Sequence, residues 1–174
     1  EMVARSQTDN PEDEAKAIQL VTKICSLEDG KRVEKLISIV RKAQTGLGRE
    51  PETFGLIHGD LHQENYFFRQ GQVRAIDFDD CGYVHYFYDL AVTIFNLDEH
   101  DNASNLKESL LKGYRNVRSL STEHEKYLDV FIHLRELQMM LWVIEMRDHP
   151  EFRDIWEADV KASCKKKKKV VDGD

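Results

Sequence analysis

The sequence predicts an α+β domain that is mostly α-helical, with one small β-hairpin inserted where its chemistry lies. Three observations predict this. Apolar residues recur at helical spacing through the first third and again from Tyr88 onward. Strand character is confined to the middle, where 66–69 and 73–76 flank Gln70-Gly71-Gln72, the signature of a tight hairpin. Glycines at 55, 59, 71 and 82 punctuate that same stretch, as expected where backbone turns sharply around a site.

Two helices over 11–44 are expected first. Asn10-Pro11 offers a cap with proline at the first helical position, and Glu12, Asp13 and Glu14 suit the positive end of the helix dipole. Ile18, Val21, Ile24 and Cys25 form a face that Asp29-Gly30 is expected to stop. Val33, Leu36, Ile37 and Val40 form the next, ending near Thr45-Gly46. A catalytic-loop and hairpin region spans 55–84, with 54–57 as a short buried strand leading into it. Helices then fill 88–162. The longest is expected to be capped by Thr122 with Glu125 and to carry Tyr127, Val130, Phe131, Leu134, Leu137, Leu141 and Ile144 as a stripe. His149-Pro150 ends it, and a final short helix covers about 152–160. Residues 1–162 thus read as one folded unit, and 163–174, with the block Lys165 to Lys169, as a basic disordered tail.

Bulk properties narrow the function. The chain has 174 residues and a formal net charge of -7, so its surface is acidic and no natural partner for a phosphate backbone; nucleic acid is not expected. No apolar run approaches the roughly 20 residues that span a bilayer, and the acidic opening is no secretory signal. Cys25, Cys81 and Cys164 are far apart without metal-type spacing, so they read as reduced thiols in a cytoplasmic protein. The start at Glu1-Met2 suits a fragment whose beginning lies upstream.

The residues 57–80 carry the chemistry. They set a carboxylate (Asp60), a carboxamide (Asn65) and a second carboxylate (Asp77) around the hairpin. Asp60 and Asn65 fit the spacing H-x-D-x-x-x-x-N of a phosphoryl-transfer catalytic loop, and Asp77-Phe78-Asp79 falls where a metal-binding D-F-G follows. Such transfer needs a group beside the attacking hydroxyl and oxygen ligands holding magnesium against phosphates.

His58-Gly59-Asp60-Leu61-His62-Gln63-Glu64-Asn65, with Ile76-Asp77-Phe78-Asp79-Asp80 and Tyr88-Asp89-Leu90-Ala91, resembles the aminoglycoside and choline kinase-like phosphotransferase family. The resemblance is specific over about 55–95. It implies a protein-kinase-like C-terminal lobe, with Gly59 where protein kinases place the arginine of H-R-D. It implies Asp60 as catalytic aspartate, Asn65 and Asp77 as Mg2+ ligands, ATP as co-substrate, and Asp89 as a buried carboxylate bracing the loop. His58, His62 and Asp79 are supporting candidates. The acceptor would be a small-molecule alcohol such as an amino sugar, a choline-like amine or homoserine. The β-rich lobe that would cover the nucleotide is missing, since two helices precede the motif, and would come in cis or in trans. Gly46-Leu47-Gly48 reads as a loop rather than a phosphate cradle.

Blander readings stand beside these. Asp60, Asn65 and Asp77 are turn-formers by type, and Asp89 opens a helix as a cap would. His58 and His62 form H-x-x-x-H, which suits zinc in a metal-dependent phosphoesterase or two neutral histidines bonded within the loop. A non-catalytic kinase-like remnant or binding module is the remaining alternative. Acidic residues over 123–159 suit exposed helix faces or a cationic acceptor.

Overall fold

The structure, a computed structural model, describes residues 11–97 and 100–171, with side chains as far as 164. The Asn10 cap and residues 172–174 fall outside this set. The described chain divides into two compact units, one of 43–132 and one of 11–42 with 133–171; the divisions fall inside two continuous helices.

The second unit opens with α1 (Pro11–Ile24), its acidic first turn at the expected end. The helix stops earlier than Asp29-Gly30, because Ser26 caps the next one. Its Oγ accepts from the Asp29 N–H (3.1 Å) and donates to the Asp29 carboxylate (2.6 Å). Gly30 therefore lies within the first turns of α2 (Leu27–Leu47) rather than ending α1. It is buried where α1 passes close: a Cβ there would lie 3.1 Å from that of Thr22 and overlap its hydroxyl. At 21 residues, α2 is longer than any helix of the last third, contrary to expectation. Val33, Leu36, Ile37 and Val40 of α2 are buried as their spacing predicts; in α1 the buried residues are Ala17 and Val21, while Ile18, Ile24 and Cys25 are only partly covered. Each large side chain so buried contributes roughly 1.5–3 kcal/mol.

The first unit holds the functional region. β1 (Phe54–Ile57) leads in and β2 (Tyr66–Arg69) pairs antiparallel with β3 (Gln72–Ala75), Tyr66 opposite Ala75 and Arg69 opposite Gln72. The second strand begins one residue sooner than predicted because the turn is the two residues Gln70-Gly71. Both have positive φ, 53° and 75°, the tight pattern that matches strand twist. The hairpin is not the only sheet: β4 (Gly82–His85) pairs antiparallel with β1, Phe54 opposite His85 and Ile57 opposite Gly82. β1 is only partly covered, since Leu56 is exposed while Ile57 is buried.

Next come α3 (Phe87–Leu97) and α4 (Ala103–Arg115). The helix expected from Thr122 is broken into α5 (Thr122–Glu125) and α6 (Leu128–Glu145), and the cap is Ser121, whose side chain accepts from the His124 N–H. Phe131 of α6 is fully buried, stacked on Phe87 at 6.0 Å and beside His85 at 5.9 Å. His85 also bonds the Gly48 carbonyl (2.8 Å), giving this histidine a packing role.

In the second unit, the rest of α6 buries Leu134, Leu137, Met140 and Ile144. The last helix, α7 (Trp156–Val171), starts later and runs further than the expected 152–160. The boundary placed at 162/163 falls inside it, and 163–171 are helical rather than a disordered tail.

Candidate active site

All the motif residues lie in the first unit, around a loop between β1 and the hairpin. Its geometry follows from Asp89, on the first turn of α3. The carboxylate does not cap its own helix; its oxygens accept the N–H groups of His58 (2.8 Å) and Gly59 (2.9 Å). Two successive amides aimed at one carboxylate fix the backbone just ahead of Asp60. Burial pushes the Asp89 carboxyl above its ordinary value, and these two bonds pull part of the way back. A second pin comes one helical turn later: the Thr93 hydroxyl donates to the Leu61 carbonyl (2.6 Å).

Gly59 has φ +87°, the left-handed region that favours glycine. A Cβ there would collide with the Asp80 carbonyl, whose carbon would lie 2.9 Å away. So the segment after Asp77 closes tightly over Gly59.

His58 is buried, and both ring nitrogens have partners. Nδ1 accepts from the Asp60 N–H (3.3 Å) and Nε2 donates to the Ile76 carbonyl (2.8 Å), which fixes a neutral tautomer. Its ring packs on Phe78, centroids 4.7 Å apart. His58 thereby ties the residue before Asp77 to the residues before Asp60. The His62 Nδ1 accepts from the Glu64 N–H (3.4 Å) and its Nε2 lies 3.4 Å from an Asp60 carboxylate oxygen. His62 caps the 3₁₀ turn Gln63–Asn65. Neither histidine is arranged as a zinc ligand. Among the described residues, no trio of His, Cys, Asp or Glu ligand atoms that includes Asp60 or Asp77 gathers within 4.8 Å.

Asn65 is buried, and its Nδ2 donates to the Asp60 carbonyl (2.8 Å), so the carboxamide's donor end faces the loop. Its own carbonyl accepts from the Ile76 N–H (2.9 Å). Asp77 follows at once, with φ +61°; aspartate is among the few residues that tolerate this region, at a cost of about 1–2 kcal/mol. Ile76 is thus held on both sides, by Asn65 and by His58. That converges the three motif segments, with the Asp77 carboxylate exposed and Asp60 half-buried. Asp79 is exposed too. Thr93 and the β1–β4 pairing escaped the sequence reading. A hydroxyl four residues after Asp89 on the same helix face was the available signal for the first.

Comparison with known proteins identifies the family and the fold. Residues 5–127 match the family described as "Phosphotransferase enzyme family". The chain belongs to that family. An amicoumacin kinase from Bacillus subtilis (strain 168) is 26% identical over 136 residues, covering 73% of this chain and 36% of the relative. Among solved structures, an amicoumacin kinase in complex with AMP-PNP, Ca2+ and Ami superimposes with TM-score 0.66 at 20% identity, over 94% of this chain and 54% of that one. A microcompartment-associated aminopropanol kinase gives TM-score 0.64 at 25% identity, over 92% and 46%. The fold of this chain is therefore kinase-like. The chain spans about a third of the curated relative's length and about half of each structure's. No described helix is long and apolar enough to cross a membrane.

The Asp89 bond pair makes a signed prediction. Because the folded carboxyl titrates above its unfolded value, the folded state binds more protons in the window between the two. The contribution of Asp89 is therefore fully present below the unfolded pKa and is lost as pH rises through the folded one. Asp89→Asn keeps the shape without the titration. Urea unfolding of both proteins from about pH 4 to about pH 8 should show the wild type's advantage narrowing with rising pH. A constant gap would refute the sign.

Proposed function

We propose that this chain is the catalytic lobe of an ATP-dependent kinase that transfers the γ-phosphoryl group to a hydroxyl of a small molecule. The observation that carries the reading is the pair of bonds on Ile76, from His58 and Asn65, which tethers the Asp77 segment to the Asp60 loop. Asp60 would accept, or at least orient, the proton of the attacking hydroxyl. The half-buried carboxylate suits that role, with the His62 Nε2 edge at 3.4 Å keeping its orientation.

Asn65 and Asp77 would hold a divalent cation, Mg2+ in this reading. The donor set fits: the Asn65 amide hydrogens are turned to the Asp60 carbonyl, which directs the carboxamide oxygen the other way, and the Asp77 carboxylate is exposed. When bound, such an ion neutralises charge on the phosphates. Asp89 and Thr93 act through the backbone as positioning residues. Asp79 keeps a supporting role at most.

Phe67, Phe68, Val73, Ile76 and Phe78, on and after the hairpin, are exposed apolar side chains, as are Leu56 and Tyr83 on the β1–β4 ribbon. That supports a nucleotide and its covering lobe lying over this surface. The name of one relative, an aminopropanol kinase, favours an amine-bearing alcohol as acceptor, of the amino-sugar, choline-like or homoserine-like kind. A cytoplasmic setting and partners limited to nucleotide and alcohol follow from the same reading. The alternative is a kinase-like binding module without turnover.

The test is phosphate transfer from ATP to an alcohol library by a protein that joins this chain to a nucleotide-covering lobe, with Asp77→Asn beside it. Asparagine tolerates the positive φ, so the fold persists while the charge goes. The Mg2+ concentration for half-maximal rate should rise about 10–100-fold. Transfer with unchanged metal dependence would remove Asp77 from the site. Nucleotide binding without transfer to any alcohol would favour the binding module.

A further inference from the structure

Two thiols that the sequence separates by 139 positions meet in the second unit. The Sγ of Cys25 lies 2.8 Å from the Sγ of Cys164. Cys25 sits in the link between α1 and α2 and is half-buried. Cys164 lies on α7, buried, with the Met140 sulfur 3.8 Å away. Heavy atoms in plain apolar contact stand about 4 Å apart, and a formed disulfide spans about 2.05 Å. The observed spacing is nearer to the bond.

Asp29 completes a trio whose ligand atoms lie within 4.8 Å, which raises a metal site as the rival. Two observations weigh against it. A tetrahedral zinc with Zn–S of about 2.3 Å keeps its sulfurs roughly 3.8 Å apart, well beyond the spacing here. Moreover, both Asp29 oxygens are engaged, one accepting from the Ser26 hydroxyl (2.6 Å) and one from the Arg32 guanidinium (2.9 Å).

We propose that Cys25 and Cys164 are a modification site that closes into a reversible disulfide, locking the α1–α2 link to α7. The oxidant is a small-molecule disulfide of the glutathione type. Cys25, the more accessible thiol, attacks it as thiolate, forming a mixed disulfide and releasing one small thiol. Cys164 then gives up its proton and attacks the Cys25 sulfur, forming the internal bond and releasing the second small thiol. Two electrons and two protons pass to the oxidant, and two protein thiols become one disulfide. Cys81, exposed in the first unit, takes no part.

The experiment incubates the full chain with oxidised glutathione and then alkylates it. One thiol, Cys81, should remain alkylatable, with the intact mass lower by two hydrogens. Trypsin should release the peptide 24–31 bonded to 162–165, and dithiothreitol should separate them. The oxidised chain should melt about 5–15 °C higher than the reduced one, because the bond closes a long loop in the unfolded state. Cys81→Ser should keep the linked peptides; Cys25→Ser should lose them. Glutathione left on Cys25 while Cys164 stays alkylatable would overturn the proposal. So would a Cys81 cross-link, or stoichiometric zinc that protects Cys25 and Cys164 from oxidation.

Discussion

On the proposed function, Asp60→Asn in a protein that joins this chain to a nucleotide-covering lobe should lower kcat for phosphoryl transfer by about 10²–10⁴, while KM for ATP changes less than about threefold. The substitution is nearly isosteric, and two of the bonds that hold this residue use its backbone, while its carboxylate lies 3.4 Å from the His62 Nε2. The Asp60 N–H bonds the His58 ring, and its carbonyl accepts from Asn65. What changes is the group that, in the proposed reaction, would meet the acceptor hydroxyl: a carboxamide cannot take a proton as oxygen attacks phosphorus. The loss corresponds to about 2.7–5.4 kcal/mol at the transition state. Steady-state kinetics with a saturating alcohol would measure it, and circular dichroism would show an unchanged fold. A kcat within threefold of wild type would mean that Asp60 neither accepts nor orients that proton. Loss of ATP affinity with kcat preserved would make it a binding residue instead.

Much of this site was legible in the sequence because its chemistry is local. Asp60 and Asn65 are joined by one short loop, and the hairpin that returns Asp77 advertises itself by the turn Gln70-Gly71 between two apolar runs. Asp89 was legible only through the family resemblance. By residue type an aspartate in a first helical turn reads as a cap, and nothing local says that it faces the backbone of another loop. The second sheet was hidden for a related reason. Gly82-Tyr83-Val84-His85 is too short to show alternation, and its partner β1 lies far earlier in the chain. Helix ends were misjudged wherever a serine decided them: Ser26 and Ser121 both cap, and each displaced a boundary drawn from a glycine or a threonine nearby. The tail misled through charge, since a lysine block reads as solvated chain yet continues α7. Cys25 and Cys164 could not be paired beforehand, as no spacing rule links residues on separate helices.

Gly59 supplies the other large effect. Gly59→Ala should destabilise the chain by about 2–5 kcal/mol, lowering the melting midpoint by about 5–15 °C. Two independent costs add here. The positive φ of 87° penalises any Cβ by about 1–2 kcal/mol. The collision with the Asp80 carbonyl adds roughly 1–3 kcal/mol, because the obstacle is backbone and cannot swing aside as a side-chain tip would. Gly48 separates the two costs within the same molecule: it also has positive φ, 67°, but nothing lies within 4 Å of its would-be Cβ. Gly48→Ala should therefore cost only the first, about 1–2 kcal/mol. Gly59→Arg, which installs the residue of the H-R-D motif, should be worse than alanine rather than better, since Asp80 closes over the space that a longer side chain needs. Movement of residue 59 would also break its N–H bond to Asp89 and shift Asp60 with it, so activity should fall more steeply than stability. Equal melting losses for Gly48→Ala and Gly59→Ala would show that conformation alone dictates glycine at this position. Full activity in Gly59→Arg would show that the loop and the segment after Asp77 do not need to pack so closely for phosphoryl transfer.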